Sequence, residues 1–425
     1  MEECDYISEL PDSLLTQILL NLLTKDSVKT SVLSKRWRNL WLNVPGLTLG
    51  TLDFPYRSEE GFAMFMDRFM EFNCRSHLQK FVIMYDECNG YRDRFMDLIG
   101  TVVDRGIQQL YVFMEPCNSG DFIRQNIYKS KTLVSLTLYN VELKNPEFVI
   151  SLPCLKIMRL CSVCYGEDGP LVVEKLISGC PVLEDLKLFR PFDILTQKVL
   201  LLLRVSSQTL KSLHLYFAID NTGGTDFSVE IDAPRLKYMT CCESLFDRIM
   251  VKNLSSLFTI DINTKYNVKY GGLLALEYLR NRDIISDFLT GISRVRHMII
   301  CDSTLEMLYC YSKLGPILQF HNLYHLQASF SSSSLQLLPT FLESCPNLKN
   351  LILEYPIKQE NIDFQKVPQC LILTLEYVKI QELIFKEKSG IKLVNYFLEN
   401  SAVLKKLTLS FTYYSMKKQD LDIID

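Results

Sequence analysis

An apolar triplet with spacing x, x+3, x+5 recurs thirteen times along this chain and constrains the fold more than any other feature. The triplets are Leu78/Phe81/Ile83, Ile107/Leu110/Val112, Leu133/Leu136/Leu138, Leu155/Met158/Leu160, Leu183/Leu186/Leu188, Leu210/Leu213/Leu215 and Leu236/Met239/Cys241. Six more follow: Leu254/Leu257/Thr259, Val295/Met298/Ile300, Leu323/Leu326/Ala328, Leu348/Leu351/Leu353, Leu375/Val378/Ile380 and Leu404/Leu407/Leu409. First positions are separated by 29, 26, 22, 28, 27, 26, 18, 41, 28, 25, 27 and 29 residues, and the uneven 18 and 41 together span about two ordinary periods. Thr259 is the only plainly polar residue in any slot. The last two members of each triplet are two residues apart, so they share one face of a short strand, and the first packs beneath it.

This pattern is the Leu-x-x-Leu-x-Leu signature of a leucine-rich repeat, whose period runs from about 20 to 29 residues. Thirteen near-periodic matches are hard to obtain from an ordinary α/β domain that merely has Leu-rich strands. Segments between triplets carry helical spacing, as in Phe62/Phe65/Met66/Phe69/Met70, Phe95/Leu98/Ile99/Val102/Val103, Ile284/Ile285/Phe288/Leu289 and Leu393/Val394/Phe397/Leu398. Cys180-Pro181 and Cys345-Pro346 stand where such helices must stop, because proline disfavours helical geometry in the residue before it. Stacked repeats bury their cores only against each other, so both ends need caps. The N-terminal segment is the candidate for one end. At the other, Met416 to Asp425 is short and polar and is expected to fray.

Residues 7 to 50 do not follow the repeat. A helix is expected to open near Pro11, where proline suits the first turn and Asp12 and Ser13 suit a cap. Leu14, Leu15, Ile18, Leu19 and Leu22 give it a wide apolar face. A second start at Thr24-Lys25-Asp26-Ser27 leads into Val28, Val32, Leu33, Trp37, Leu40 and Trp41, read as one helix that holds both tryptophans of the chain. A module of this size cannot bury two such faces alone, so the surplus must meet the repeats or another protein.

The run Leu10-Pro11-Asp12-Ser13-Leu14-Leu15-Thr16-Gln17-Ile18-Leu19, then Thr24 to Trp37 and Leu40-Trp41, closely resembles the F-box of the plant F-box/FBD/leucine-rich-repeat family. Asn145 to Phe148, Leu176 to Leu186, Glu230 to Leu236 and Val251 to Leu254 look like that family's repeats. Phe341 to Leu348 and Val367 to Leu409 resemble its FBD region. Two departures stand out. Leu22-Leu23 replaces the family's usual Leu-Pro before Thr-Lys-Asp, and the chain stops at Asp425 where the family usually continues with a further helix and strand.

The 46 basic residues balance 49 acidic ones, for a net charge of -3, which excludes a bulk polyanion binder; 48% hydrophobic content excludes a disordered tail protein. Fourteen cysteines follow no even framework and no secretory signal precedes them, so free thiols in a reducing compartment are expected. The longest apolar runs are far short of the ~20 residues of a membrane helix. No catalytic constellation is present. Cys161-x-x-Cys164 lacks a second metal-binding pair, Cys241-Cys242 lies in a strand triplet, and His321 and His325 flank a strand. Gly223-Gly224 and Gly271-Gly272 mark turns without a phosphate-binding fingerprint. Short basic runs such as Lys35-Arg36-Trp37-Arg38 and Lys417-Lys418 suit solvated faces.

The expected fold is α/β: an F-box three-helix module at 1–50, a leucine-rich-repeat array at 51–350 as a curved parallel sheet with helices on the convex side, and FBD-like C-terminal repeats at 351–425. The resemblance implies a non-catalytic substrate receptor of a Skp/cullin/F-box ubiquitin ligase, intracellular in the nucleus or cytoplasm, with no cofactor, metal, nucleic acid or membrane. It implies that the Skp-type adaptor docks on Leu10, Pro11, Leu14, Leu15, Ile18, Leu19, Val28, Val32, Leu33, Trp37, Leu40 and Trp41, some of which must be internal core, and that the adaptor connects to cullin. The target protein would meet outward strand residues such as Thr137, Lys187 and His214. A repeat scaffold with a degenerate F-box and a small-molecule-sensing F-box receptor are the alternatives.

Overall fold

A computed structural model describes residues 6–7, 9–54, 59–72, 78–85, 92–115, 122–165, 168–189, 201–216, 227–246, 248–266, 275–313, 315–332, 334–355, 364–384 and 387–412. The expectations for Gly223-Gly224, Gly271-Gly272, Lys417-Lys418 and the tail at 416–425 lie outside these residues. The chain forms two compact units, Met1–Gln197 with Val205–Leu210, and Lys198–Arg204 with Lys211–Asp425.

The first unit begins with helix α1 (Asp12–Leu19) and α2 (Thr24–Lys29), followed by short 3-10 turns at Thr30–Val32 and Trp37–Asn43. Then come β1 (Gly46–Gly50), α3 (Glu59–Phe72), β2 (Lys80–Tyr85), α4 (Arg92–Asp104), β3 (Gln109–Met114), β4 (Ser135–Tyr139), β5 (Ile157–Cys161), α5 (Gly169–Ser178) and β6 (Asp185–Phe189). The six strands pair in parallel and in sequence order. Their register stacks the x+3 residues, Leu47, Phe81, Leu110, Leu136, Met158 and Leu186, in one row, and the x+5 residues, Leu49, Ile83, Val112, Leu138, Leu160 and Leu188, in the next. All twelve are buried. The triplet thus sets the register, since a slip of one residue would turn every one of these side chains to the open face.

Strand β7 (Leu201–Ser206) falls where the sequence ranges of the two units interleave. The second unit continues with β8 (Ser212–Tyr216), β9 (Phe227–Asp232), β10 (Tyr238–Phe246), β11 (Arg248–Asn253), β12 (Thr259–Tyr266), α6 (Ala275–Ile292), β13 (His297–Ile300), α7 (Asp302–Ser312), β14 (His325–Ser329), α8 (Leu338–Glu343), β15 (Asn350–Glu354), α9 (Gln369–Leu373), β16 (Tyr377–Ile384), α10 (Lys388–Asn400) and β17 (Lys406–Thr412). Strands β8, β10 and β12 to β17 make a parallel sheet in that order. Helices do not supply the whole outer layer. β9 and β11 pair in parallel with each other, and α6 rests on β11 so closely that a Cβ on Gly291 would lie 2.4 Å from Val251 Cβ.

Two repeats differ from the sequence expectation. The buried triplet of β12 is Leu257/Ile260/Ile262, in place of Leu254/Leu257/Thr259. Leu254 fills a further inner position at x-3. There its carbonyl accepts the Leu257 N–H at 3.0 Å, as Cys180 accepts from Leu183 at 3.2 Å, Ala233 from Leu236 at 3.0 Å and Cys345 from Leu348 at 3.2 Å. Two leucines three residues apart allow either frame; the polar Thr259 in the first frame is the signal against it in the sequence, and the ladder selects the second. With the frame corrected, no slot is polar.

The second difference is a fourteenth triplet, Val44/Leu47/Leu49, on β1. The Pro45 carbonyl accepts the N–H groups of both Gln79 and Lys80, at 2.6 and 3.2 Å. The same two-to-one step recurs where the Gln79 carbonyl accepts Gln108 and Gln109 N–H and the Lys237 carbonyl accepts Phe258 and Thr259 N–H. The repeat ladder therefore starts inside the N-terminal module, before residue 50.

Candidate functional site

Pro11 stands at the head of α1 with extended geometry (φ -62°, ψ 149°), and its carbonyl accepts the N–H groups of Leu14 and Leu15 at 2.9 and 3.1 Å. Proline lacks an N–H, which a helix start does not need. The apolar residues of α1 then divide between two faces. Leu15 and Leu19 are buried with Trp37, Leu40 and Val44 in a small core against which Leu10 and Leu20 also pack. Leu14 (50% exposed), Ile18 (46%) and Leu22 (40%), at four-residue steps, face outward.

The chain after Thr24 is not one helix. It is a six-residue α-helix, a 3-10 turn at Thr30–Val32, a bend, and a second 3-10 segment at Trp37–Asn43. The hydroxyl of Thr30 donates to the Ser27 carbonyl at 2.7 Å and that of Ser31 donates to the Val28 carbonyl. Such back-bonding competes with the helical ladder, and the β-branched Val28, Thr30 and Val32 weaken it further. The break lets Trp37 and Leu40 turn into the core while Val28, Val32 and Leu33 stay exposed, Val32 at 86%. Trp41 is half-buried at the x-3 position of the first repeat, and its carbonyl accepts the Val44 N–H at 3.3 Å.

Three further contacts fix the module. Ser27 Oγ donates to the Leu19 carbonyl at 3.1 Å and ties α2 to the end of α1. Arg36 Nε and Nη2 donate to Asp12 Oδ1 at 2.9 and 2.7 Å, and Nη2 also reaches the Leu10 carbonyl. At the sheet edge, the Thr48 N–H donates to Thr24 Oγ1 at 2.9 Å, which satisfies one open group of β1. Gly46 allows the close approach, because a Cβ there would lie 2.3 Å from Leu20 Cδ1.

Of the twelve residues singled out in the sequence, Pro11, Leu14, Ile18, Val28, Val32 and Leu33 lie on the surface. Leu15, Leu19, Trp37 and Leu40 form the interior, and Leu10 and Trp41 are intermediate. Exposed Tyr6, Ile7 and Leu23 extend the apolar surface and were not among the twelve. Leu22 was read only as part of the α1 face. Its spacing from Leu14 and Ile18 was the available signal, whereas Tyr6 and Ile7 precede any periodic segment.

The repeats carry a second candidate surface. Alternation on β3 to β6 turns Tyr111, Phe113, Thr137, Tyr139, Arg159 and Lys187 to the open face. Thr137 is buried among its neighbours, while Lys187, and His214 on β8, are half-exposed. Tyr139 is pushed up to about 12 by burial and then by its hydrogen bond with Cys161. His325 is pulled below the usual imidazole range by burial and by His297, whose ring lies 5.5 Å away. Burial pushes the thiols of Cys180, Cys345 and Cys370 up to about 12, so they remain protonated at neutral pH. Cys161 is buried and Cys164 exposed. Among the described residues, no group of three or more His, Cys, Asp or Glu could hold a metal ion, and no helix is long and apolar enough to cross a membrane.

Family models match three parts of the chain: the F-box domain over residues 7–48, the LRR repeats of FBD-associated F-box protein At5g56370 over 96–263, and FBD over 363–409. The chain is 75% identical over 418 residues to the putative F-box/FBD/LRR-repeat protein At5g44960 of Arabidopsis thaliana, covering 98% of this chain and 94% of that one. It is 70% identical to F-box/FBD/LRR-repeat protein At5g44980 of the same plant, over 97% of this chain and 93% of the relative. F-box/FBD/LRR-repeat protein At2g26030, also from Arabidopsis thaliana, is 55% identical over 99% of this chain and 95% of its own. The chain belongs to the F-box/FBD/LRR-repeat family. In this F-box/FBD/LRR-repeat protein the F-box match ends at residue 48, within β1, so the family's first domain includes part of the first repeat strand. The FBD match runs from just before α9 to the middle of β17 and covers the last two repeats of the second unit.

Proposed function

We propose that the protein is the substrate-recognition subunit of a Skp/cullin/F-box ubiquitin ligase. The F-box holds the Skp-type adaptor and the open face of the repeats holds a target protein. One observation carries the reading: the module completes its own core with Leu15, Leu19, Trp37, Leu40 and Val44, yet leaves Leu14, Ile18, Leu22, Val32 and Leu33 in solvent. Several exposed apolar side chains on a module whose core is complete without them suit helix-in-groove docking. Pro11 and Val28 belong to the same outward set, while the buried leucines and Trp37 hold those side chains in place. The chain itself performs no bond chemistry. It raises the local concentration of a target lysine near a conjugating enzyme brought by its partners.

Co-expression with a Skp-type adaptor tests this. Full-length protein is expected to retain the adaptor on affinity resin, and Leu14→Asp with Ile18→Asp to lose it without a change in melting temperature. Failure of the wild-type chain to retain any adaptor would refute the reading.

A further inference from the structure

The open face of β3 to β6 carries aromatic and charged side chains in adjoining positions. Tyr111, Phe113 and Tyr139 form a continuous half-exposed ledge, with ring centroids 5.5 Å apart for Tyr111 and Tyr139 and 6.1 Å apart for Phe113 and Tyr139. Beside the ledge stand Arg159 on β5 and Lys187 on β6, paired in register. Both cations act on the Cys161 thiol next to Tyr139: burial raises that thiol foremost, while hydrogen bonding to Tyr139 and the charges of Lys187 and Arg159 lower it. In register, Tyr111, Thr137, Arg159 and Lys187 form one row across β3 to β6. Across the open positions of β1 to β6 the charged residues are Lys80, Arg159 and Lys187 against Asp185, which already pairs with Arg159 at 3.2 Å, and the balance is positive on a chain whose net charge is -3.

We propose that this face receives an extended acidic peptide segment of the target, with an aromatic side chain stacked on the Tyr111/Phe113/Tyr139 ledge and a carboxylate two residues away paired with Arg159 and Lys187. Spacing supports the pattern. Neighbouring strands lie about 4.8 Å apart and Arg159 stands opposite Thr137, two residues from the level of Tyr139, so the backbones of Arg159 and Lys187 lie roughly 8 and 12 Å from that of Tyr139, one to two of the ~6.6 Å steps between same-side residues of an extended chain. Stacking on the ledge and charge pairing beside it are separate contributions, and the second is sensitive to salt. The inference rests on the reading of the repeats as the target-binding surface and adds the chemistry of what is bound.

The test is a selection of random 12-residue peptides displayed on phage against the full chain, followed by fluorescence-anisotropy titration of the leading peptide. Enriched peptides are expected to pair an aromatic residue with Asp or Glu two positions away and to lack Lys and Arg. Arg159→Gln with Lys187→Gln is expected to weaken binding at least ~10-fold, and raising salt from about 50 to about 300 mM to weaken the wild type but hardly the variant. Tyr139→Ala provides an independent loss through the ledge. Adaptor retention and melting temperature serve as folding controls for every variant. No enrichment, enrichment without acidic residues, or binding indifferent to both variants overturns the proposal. Adaptor retention alongside such a failure leaves the ligase reading standing, and acidic–aromatic enrichment without adaptor retention defeats the ligase reading alone.

Discussion

Adjacent leucines in α1 have opposite roles, which makes Leu15→Ala against Leu14→Ala with Ile18→Ala the most informative perturbation. Leu15 is fully buried among Leu19, Trp37, Leu40 and Val44. Its truncation removes the transfer free energy of the deleted atoms and leaves a cavity, costing ~3–4 kcal/mol at such a site. At about 1.4 kcal/mol per factor of ten, the open form of the module should become roughly 100- to 1,000-fold more populated. Leu14 and Ile18 are about half exposed. Their truncation should change stability by no more than ~0.5 kcal/mol each. As anchors of a docking surface, however, each should cost ~1–2 kcal/mol of adaptor binding, so the pair should lose roughly 30- to 1,000-fold in affinity.

Hydrogen exchange read by mass spectrometry on the free chain separates the two effects. Peptides spanning 10–24 should exchange far faster in Leu15→Ala and at the wild-type rate in the double variant, while adaptor titration should report the reverse order of severity. Leu15→Ala should lose adaptor binding only in proportion to the fraction of folded module it gives up. Equal exchange in the two variants, or unchanged adaptor affinity in the double variant, would show that the division of the α1 faces is wrong.

Three further outcomes follow from single contacts. Thr24→Val removes the acceptor of the Thr48 N–H and should cost about 1–2 kcal/mol, seen as faster exchange of β1 and a lower melting temperature; no change would mean that water replaces the hydroxyl without penalty. Gly291→Ala drives a Cβ into Val251 and should cost ~1–3 kcal/mol by prising α6 from β11, with protection lost first in peptides of those two elements. The thiols of Cys180, Cys345 and Cys370 are raised from 9.0 to about 12 by burial, so the folded state favours their protonated forms. Their contribution is complete below pH 9 and is lost as pH rises from about 9 towards 12, by at most ~1.4 kcal/mol per pH unit for each thiol, and Cys345→Ala should reduce the slope of melting temperature against pH across that window.

Much of the architecture was legible because the triplet is a local pattern with a physical cause: residues two apart share a strand face wherever the strand lies. Twelve of the thirteen triplets coincide with the inner face of a strand. The Leu254 frame failed because Leu254 and Leu257 are three apart and each can stand first. Val44/Leu47/Leu49 has the same spacing but lies within residues 7 to 50, whose helical patterning hides a strand at their end. The helix expected over residues 24–41 was broken by Thr30 and Ser31 hydroxyls whose bonds to the backbone periodicity does not register.

The sequence by itself determined the repeat, its period, the strand faces and the presence of an N-terminal F-box segment, since each depends on residue type and spacing along one stretch of chain. Only the tertiary structure decided which leucines of α1 face solvent, that Trp41 belongs to the first repeat turn, and that the edge of β1 is closed by Thr24. Leu14 and Leu15 are chemically the same, and a helix alone gives neither a preferred side. That side is chosen by Trp37, Leu40 and Val44, which lie more than twenty residues away in sequence and meet α1 only when the chain turns back into the first strand.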